Sequence, residues 1–106
     1  MSDWIEVTNT AELAPGEKRI VDVDDVMFAV FNIGGEYYAI EDVCTHDGAP
    51  LDDAAIEGDQ ITCPRHGARF CVRTGEALTP PAYEPIPTFP VRVKNGIVFV
   101  RDDRWD

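Results

Sequence analysis

Apolar and polar residues change places along this chain in short runs, with no stretch in which apolar residues recur every three or four positions. Residues 19–23 alternate apolar and charged side chains, the pattern of a half-buried strand. Residues 27–33 and 37–40 are apolar-rich runs separated by Gly34-Gly35, a pair suited to the positive φ angles of a tight turn, and they predict a β-hairpin. Residues 91–94 and 97–100 flank Asn95-Gly96, the strongest hairpin signal in the chain and a fit to a type I′ turn. Shorter strands are expected at 4–7 and 69–72, and two very short ones within 56–62 around Gly58-Asp59. Asn9, with Glu12 three residues on, makes a weak capping box and predicts one helical turn ending before Pro15-Gly16. Residues 47–55 read as loop, and Thr74-Gly75 closes the strand before it. Residues 80–90 carry five prolines, too many for a helix or a central strand, and predict an ordered surface segment draped over the body. Turn signals every 8 to 12 residues or so point to an all-β sandwich or small barrel.

The chain has 106 residues, enough for one domain and one core, and no repeat, linker or low-complexity stretch suggests a second. Its net charge of −11 argues against nucleic acid, whose phosphates call for a basic face, and against docking on an anionic membrane. An acidic carrier that finds basic patches on its partners fits this charge, and so does a protein merely kept soluble by it. The longest apolar runs, 27–31 and 97–100, fall far short of the ~18 residues of a membrane span. Met1-Ser2-Asp3-Trp4 has no basic region followed by an apolar stretch, so no signal peptide is expected and a cytoplasmic monomer is. The tail, 101–106, is charged, with Trp105 placed to pack back on the body.

Three cysteines make a poor disulfide framework, and cysteines interleaved with histidines point to metal instead. Cys44-Thr45-His46 and Cys63-Pro64-Arg65-His66 each pair one thiol with one imidazole, and together they use both histidines of the chain. Three readings are open on these residues: four unrelated loop residues, a structural zinc site, or a [2Fe–2S] cluster with two thiolates on one iron and two imidazoles on the other. Zinc patterns usually pair Cys with Cys and His with His, whereas here each loop offers one of each. Mixed loops are what the asymmetric cluster requires, since each loop must serve both irons.

These two stretches, with Gly67, Phe70, Thr74-Gly75, Pro80-Pro81-Ala82 and the closing Phe89-Pro90-Val91 hairpin, resemble the Rieske iron–sulfur domain over nearly the whole chain. The resemblance implies a single domain over 1–106, an antiparallel sandwich or small barrel whose cluster-binding part, about 42–80, is formed by two loops. It implies one [2Fe–2S] cluster with Cys44 and Cys63 on the inner iron, His46 and His66 on the outer iron near the surface, and Pro80-Pro81 as a shielding loop.

Departures from the family narrow the expectation. Respiratory Rieske proteins carry an additional, disulfide-forming cysteine in each loop, absent here, and place Ser and Tyr where this chain has Ala68 and Phe70. Without those hydroxyl donors to sulfur the potential should sit at the low end of the Rieske range, about −150 mV. The pattern is similar to the ferredoxins of bacterial aromatic-ring dioxygenases of the biphenyl and toluene type, which share the stretch around Cys71, where a buried structural thiol is expected. No histidine remains for a mononuclear oxygenase iron, so the chain is expected to be an electron-transfer component and not itself an enzyme. The partners so implied are a flavin-containing NAD(P)H reductase and a terminal Rieske oxygenase. The alternatives are a nitrite-reductase small subunit, a general redox ferredoxin and a zinc module. Arg65, Arg69 and Arg73 around the second loop either form a positive docking spot or pair with nearby acids, the ordinary fate of surface arginines.

Overall fold

The computed structural model describes residues 4–23, 25–43, 55–63, 67–79 and 84–102. Among them run β1 (Trp4–Asn9), β2 (Lys18–Val23), β3 (Val26–Ile33), β4 (Glu36–Glu41), β5 (Ala55–Glu57), β6 (Gln60–Thr62), β7 (Arg69–Cys71), β8 (Thr88–Phe89), β9 (Val91–Lys94) and β10 (Ile97–Arg101). They form three antiparallel sheets, ordered β1-β10-β9, β2-β3-β4-β8 and β5-β6-β7.

The four-stranded sheet is the middle layer. One of its faces, with Phe28, Val30, Ala39 and Phe89, packs on Val98 and Val100 of the first sheet. Phe28 and Phe89 stack with ring centroids 3.8 Å apart and 7° between planes. Its other face, with Ala29, Phe31, Ile33 and Ile40, packs on Ile61, Phe70 and Val72 of the small third sheet or its flanks. Burial on both sides explains why residues 28–33 read as an almost continuous apolar run instead of an alternation.

The polar residue in that run, Asn32, is a hub. It is 3 % exposed. Its side-chain amide donates to the Leu13 carbonyl at 2.8 Å, and its Oδ1 accepts from the Gly35 N–H at 2.8 Å. The side chain thereby ties the β3–β4 turn to the segment that follows the first strand.

Both predicted hairpins form. Asn95 (φ 54°) and Gly96 (φ 75°) take the positive angles a type I′ turn requires. Asn9 caps a single 3-10 turn, Thr10–Glu12, by accepting from the Glu12 N–H at 3.1 Å. Two elements go beyond the pattern reading. β2 and β3 form a hairpin of their own, in which Asp25 adopts φ 68° and donates its N–H to Asp22 Oδ1 at 2.9 Å. The proline-rich segment is not only draped on the surface: Ile86 and Phe89 are core residues, and β8 pairs with β4. Its place at the sheet's edge is the one Pro87 and Pro90 permit. The expected packing of Trp105 and the loop at 47–54 lie outside the described residues.

Candidate metal centre

β6 and β7 are adjacent antiparallel strands, so the chain between them must reverse direction. Thr62 pairs with Arg69 at the last rung. Beyond it the Cys63 N–H donates to the Ala68 carbonyl at 2.7 Å, and the Gly67 N–H donates to the Cys63 carbonyl at 3.0 Å. The backbone of Cys63 is thus held from both sides. Its side chain is 1 % exposed, makes no disulfide and belongs to the apolar cluster of Phe31, Ile61, Ala68 and Phe70. A thiol so placed is dry and inward-facing, and its sulfur is of the soft donor type that iron–sulfur and zinc sites use. Pro64, Arg65 and His66 lie outside the described residues.

The first stretch, Cys44-Thr45-His46, also lies outside them, but its approach is described. The Asp42 N–H donates to the Met27 carbonyl at 2.8 Å, which holds the end of β4. Val43, next in the chain to Cys44, packs against the same apolar cluster as Cys63. The chain returns at Ala55, which pairs with Thr62, the residue before Cys63. The proline segment leaves from the same edge: the Leu78 N–H donates to the Arg69 carbonyl and the Arg69 N–H to Thr79 Oγ1, at 2.8 and 2.9 Å. The chain's return at Ala55, the start and end of the second loop and the start of the proline segment therefore meet at a single rung, Ala55–Thr62–Arg69–Thr79, while the first stretch leaves from Val43 at the end of β4. Of the four expected ligands the structure describes Cys63 alone, and among the described residues no group of three or more His, Cys, Asp or Glu gathers as a metal site.

The two positions at which the sequence lacks a hydroxyl donor both belong to the cluster around Cys63. Ala68 and Phe70 are fully buried in its cluster, and neither carries an O–H. Cys71 differs from expectation: it is half-buried. Side chains alternate along a strand, so with Phe70 turned inward Cys71 faces the other way. Arg73 pairs with acids. Its Nε lies 3.2 Å from Asp59 Oδ2, its Nη1 lies 4.0 Å from Glu36 Oε2, and its guanidinium carbon stands 5.3 Å from the Tyr38 ring centre. Tyr38 in turn donates to Glu36, and this hydrogen bond holds its phenol above the usual tyrosine value. Arg69 remains exposed beside the loop.

Pattern reading missed how the far end of the small sheet is secured. Gly75, at φ +79°, accepts the Ile86 N–H at 2.7 Å, and a Cβ there would fall 2.0 Å from the Ile86 carbonyl oxygen. The signal available in the sequence was Gly75 itself, read only as a strand terminator.

Residues 3–90 match the Rieske [2Fe-2S] domain. The chain is 43 % identical over 91 residues to the 3-phenylpropionate/cinnamic acid dioxygenase ferredoxin subunit of Escherichia coli K12, covering 85 % of each. Among solved structures it is similar to a chain in the complex of reduced oxygenase and oxidized ferredoxin of carbazole 1,9a-dioxygenase (TM-score 0.87, 40 % identity, covering 92 % of this chain and 91 % of that one). It is also similar to the ferredoxin of carbazole 1,9a-dioxygenase from Nocardioides aromaticivorans IC177 (TM-score 0.86, 32 % identity, 92 % and 95 % covered).

Proposed function

The chain belongs to the Rieske [2Fe-2S] domain family, and on that premise we propose that it is a one-electron carrier, taking electrons from a flavin-containing NAD(P)H reductase and delivering them to a terminal ring-hydroxylating oxygenase. The observation that carries this reading is that Val43, which leads into the first Cys/His stretch, packs on the same apolar cluster as the buried, disulfide-free Cys63 that opens the second. The donor set, two thiols and two imidazoles in mixed pairs, suits a two-iron cluster, and family membership sets the structural-zinc alternative aside. In this reading Cys44, His46, Cys63 and His66 hold the cluster, within a single domain over 1–106 whose cluster-binding part is about 42–80. When bound, the group supplies reversible storage of one electron.

The chain's own residues do the rest. The two backbone bonds at Cys63 hold its sulfur against the apolar cluster, and that cluster keeps water from the thiolate side. Ala68 and Phe70 offer no hydroxyl to stabilise an electron-rich sulfur, which favours a low potential. The chain's net charge of −11 favours encounter with a partner that carries a basic patch. The relatives' names support an oxygenase as the acceptor; the reductase, the monomeric state and the cytoplasmic location belong to the same proposal. Among the described residues no helix is long and apolar enough to cross a membrane.

Reconstitution tests the reading. Purified protein should be reddish-brown, contain acid-labile sulfide, and couple NAD(P)H oxidation to substrate hydroxylation with one member of a panel of reductases and oxygenases. Stoichiometric zinc without labile sulfide would overturn it.

A further inference from the structure

The two Cys/His loops have different anchors. The first leaves the middle sheet at the end of β4, and the second joins β6 and β7 of the small sheet. One cluster can be shared only if these two sheets keep a set orientation. The apolar cluster between them sets their spacing by close packing, and its driving force is non-directional. Direction comes from the turn after β7. There Gly75 is bonded to Ile86, which leads into β8 of the middle sheet. Two residues earlier, Arg73 reaches Asp59 on its own sheet and, on β4, both Glu36 and the face of Tyr38.

We propose that Arg73 is a positioning residue for the iron–sulfur centre: by joining Asp59 to Glu36 and Tyr38, it sets the angle between the small sheet and β4, and with it the separation of the two ligand loops. The inference rests on the reading that Cys44, His46, Cys63 and His66 share one cluster. Arg73 acts at a distance, from the end of β7 opposite the ligand loop. Its planar, always-charged head suits the role, because it can meet two carboxylates edge-on and a ring face-on at once. The pairs are exposed, with side chains 45 % accessible at Arg73, 41 % at Asp59 and 67 % at Glu36. They therefore add little to global stability. What they add is geometry, and the test must read geometry.

The test uses the cluster-loaded chain. Arg73→Ala should change the electron paramagnetic resonance of the reduced protein. It should also bleach about fivefold faster in excess iron(II) chelator, as expected when weak polar contacts are lost. Its melting temperature should stay within about 5 °C of the parent. Arg73→Lys should recover part of the bleaching rate, since it keeps the charge and loses the planar stack. Should Arg73→Ala fail to load, Glu36→Gln, which removes only the β4 carboxylate, should show the same changes in smaller degree. Gly96→Ala strains the β9–β10 turn, in the sheet away from this joint, and should leave the resonance unchanged. Parental resonance and bleaching in Arg73→Ala and Glu36→Gln would overturn the proposal, as would identical changes in Gly96→Ala. A parent chain without labile sulfide would defeat the cluster reading instead.

Discussion

Cys63 and Cys71 lie eight positions apart and have opposite fates. Cys63 closes β6, faces the core and is held by two backbone bonds, whereas Cys71 points off the other face of β7. Cys63→Ser should therefore abolish the visible absorbance of the cluster, and Cys71→Ser should leave the spectrum intact. A cluster lost in the second variant would refute Cys71's structural role. Ala68 faces the same apolar cluster as Cys63 without a hydroxyl. Ala68→Ser should raise the reduction potential by about 20–60 mV. That range takes one hydrogen bond as roughly 0.5–1.5 kcal/mol and about 59 mV per tenfold for one electron. Voltammetry of parent and variant side by side checks it. Tyr38 has its phenol raised first by the hydrogen bond to Glu36 and then by burial, with Arg73 pulling the other way. The folded chain thus holds this proton more tightly than the unfolded one. The resulting stabilisation is complete below the unfolded tyrosine value of about 10 and is lost as pH rises through the higher folded value. Glu36→Gln should move the phenolate absorbance change to lower pH; an unmoved titration would remove the hydrogen bond as its cause.

At the scale of elements, hairpins with glycine-bearing turns were legible because the turn chemistry is local. Gly34-Gly35 and Asn95-Gly96 each state their φ requirement within two residues. The β2–β3 hairpin was less legible, since Asp24-Asp25 carries the signal without a glycine and Asp25 must take φ 68°. β8 was hidden by its prolines: its two residues are a strand only because β4 offers an edge and Phe28 a stacking face for Phe89. Gly75 has the same character. Its positive φ and the 2.0 Å approach of the Ile86 carbonyl leave no room for a methyl group, so the turn after β7 must move if one is added. Gly75→Ala should destabilise the fold by roughly 3 kcal/mol, read as a lower urea midpoint. Gly96→Ala, where only Thr10 Oγ1 at 3.9 Å comes near, should lose less. Equal midpoints in the two variants would show that backbone strain alone, and not the clamp on Ile86, sets the loss.

Across the whole molecule, three layers share two apolar clusters, and the Cα radius of gyration is 13.0 Å. That is close to the ~13 Å expected for one compact unit of this length. The net charge of −11 acts at this scale too. If the partners present basic patches, the second-order rate of electron delivery to the oxygenase should fall several-fold between 10 and 200 mM salt, as the Debye length shrinks from about 30 Å to under 8 Å. Stopped-flow reduction of the oxygenase measures it, and a rate flat across that range would leave the acidity a matter of solubility alone.

By itself the sequence determined the all-β class and the main turns, and it singled out Cys44, His46, Cys63 and His66 as the proposed donors, because turn chemistry, strand alternation and ligand type are properties of a few neighbouring residues. It also disclosed, through the absence of hydroxyls at Ala68 and Phe70, the character of the site around Cys63. The tertiary structure decided that Val43 and Cys63 meet at one apolar cluster, that Cys71 faces away from the core, that Arg73 binds across two sheets, and that Ile86 closes on Gly75. Each of these depends on residues brought together from separate strands. Arg73 meets Glu36 and Tyr38 only after the small sheet has packed on β4, and no pattern within a run of neighbours encodes that meeting.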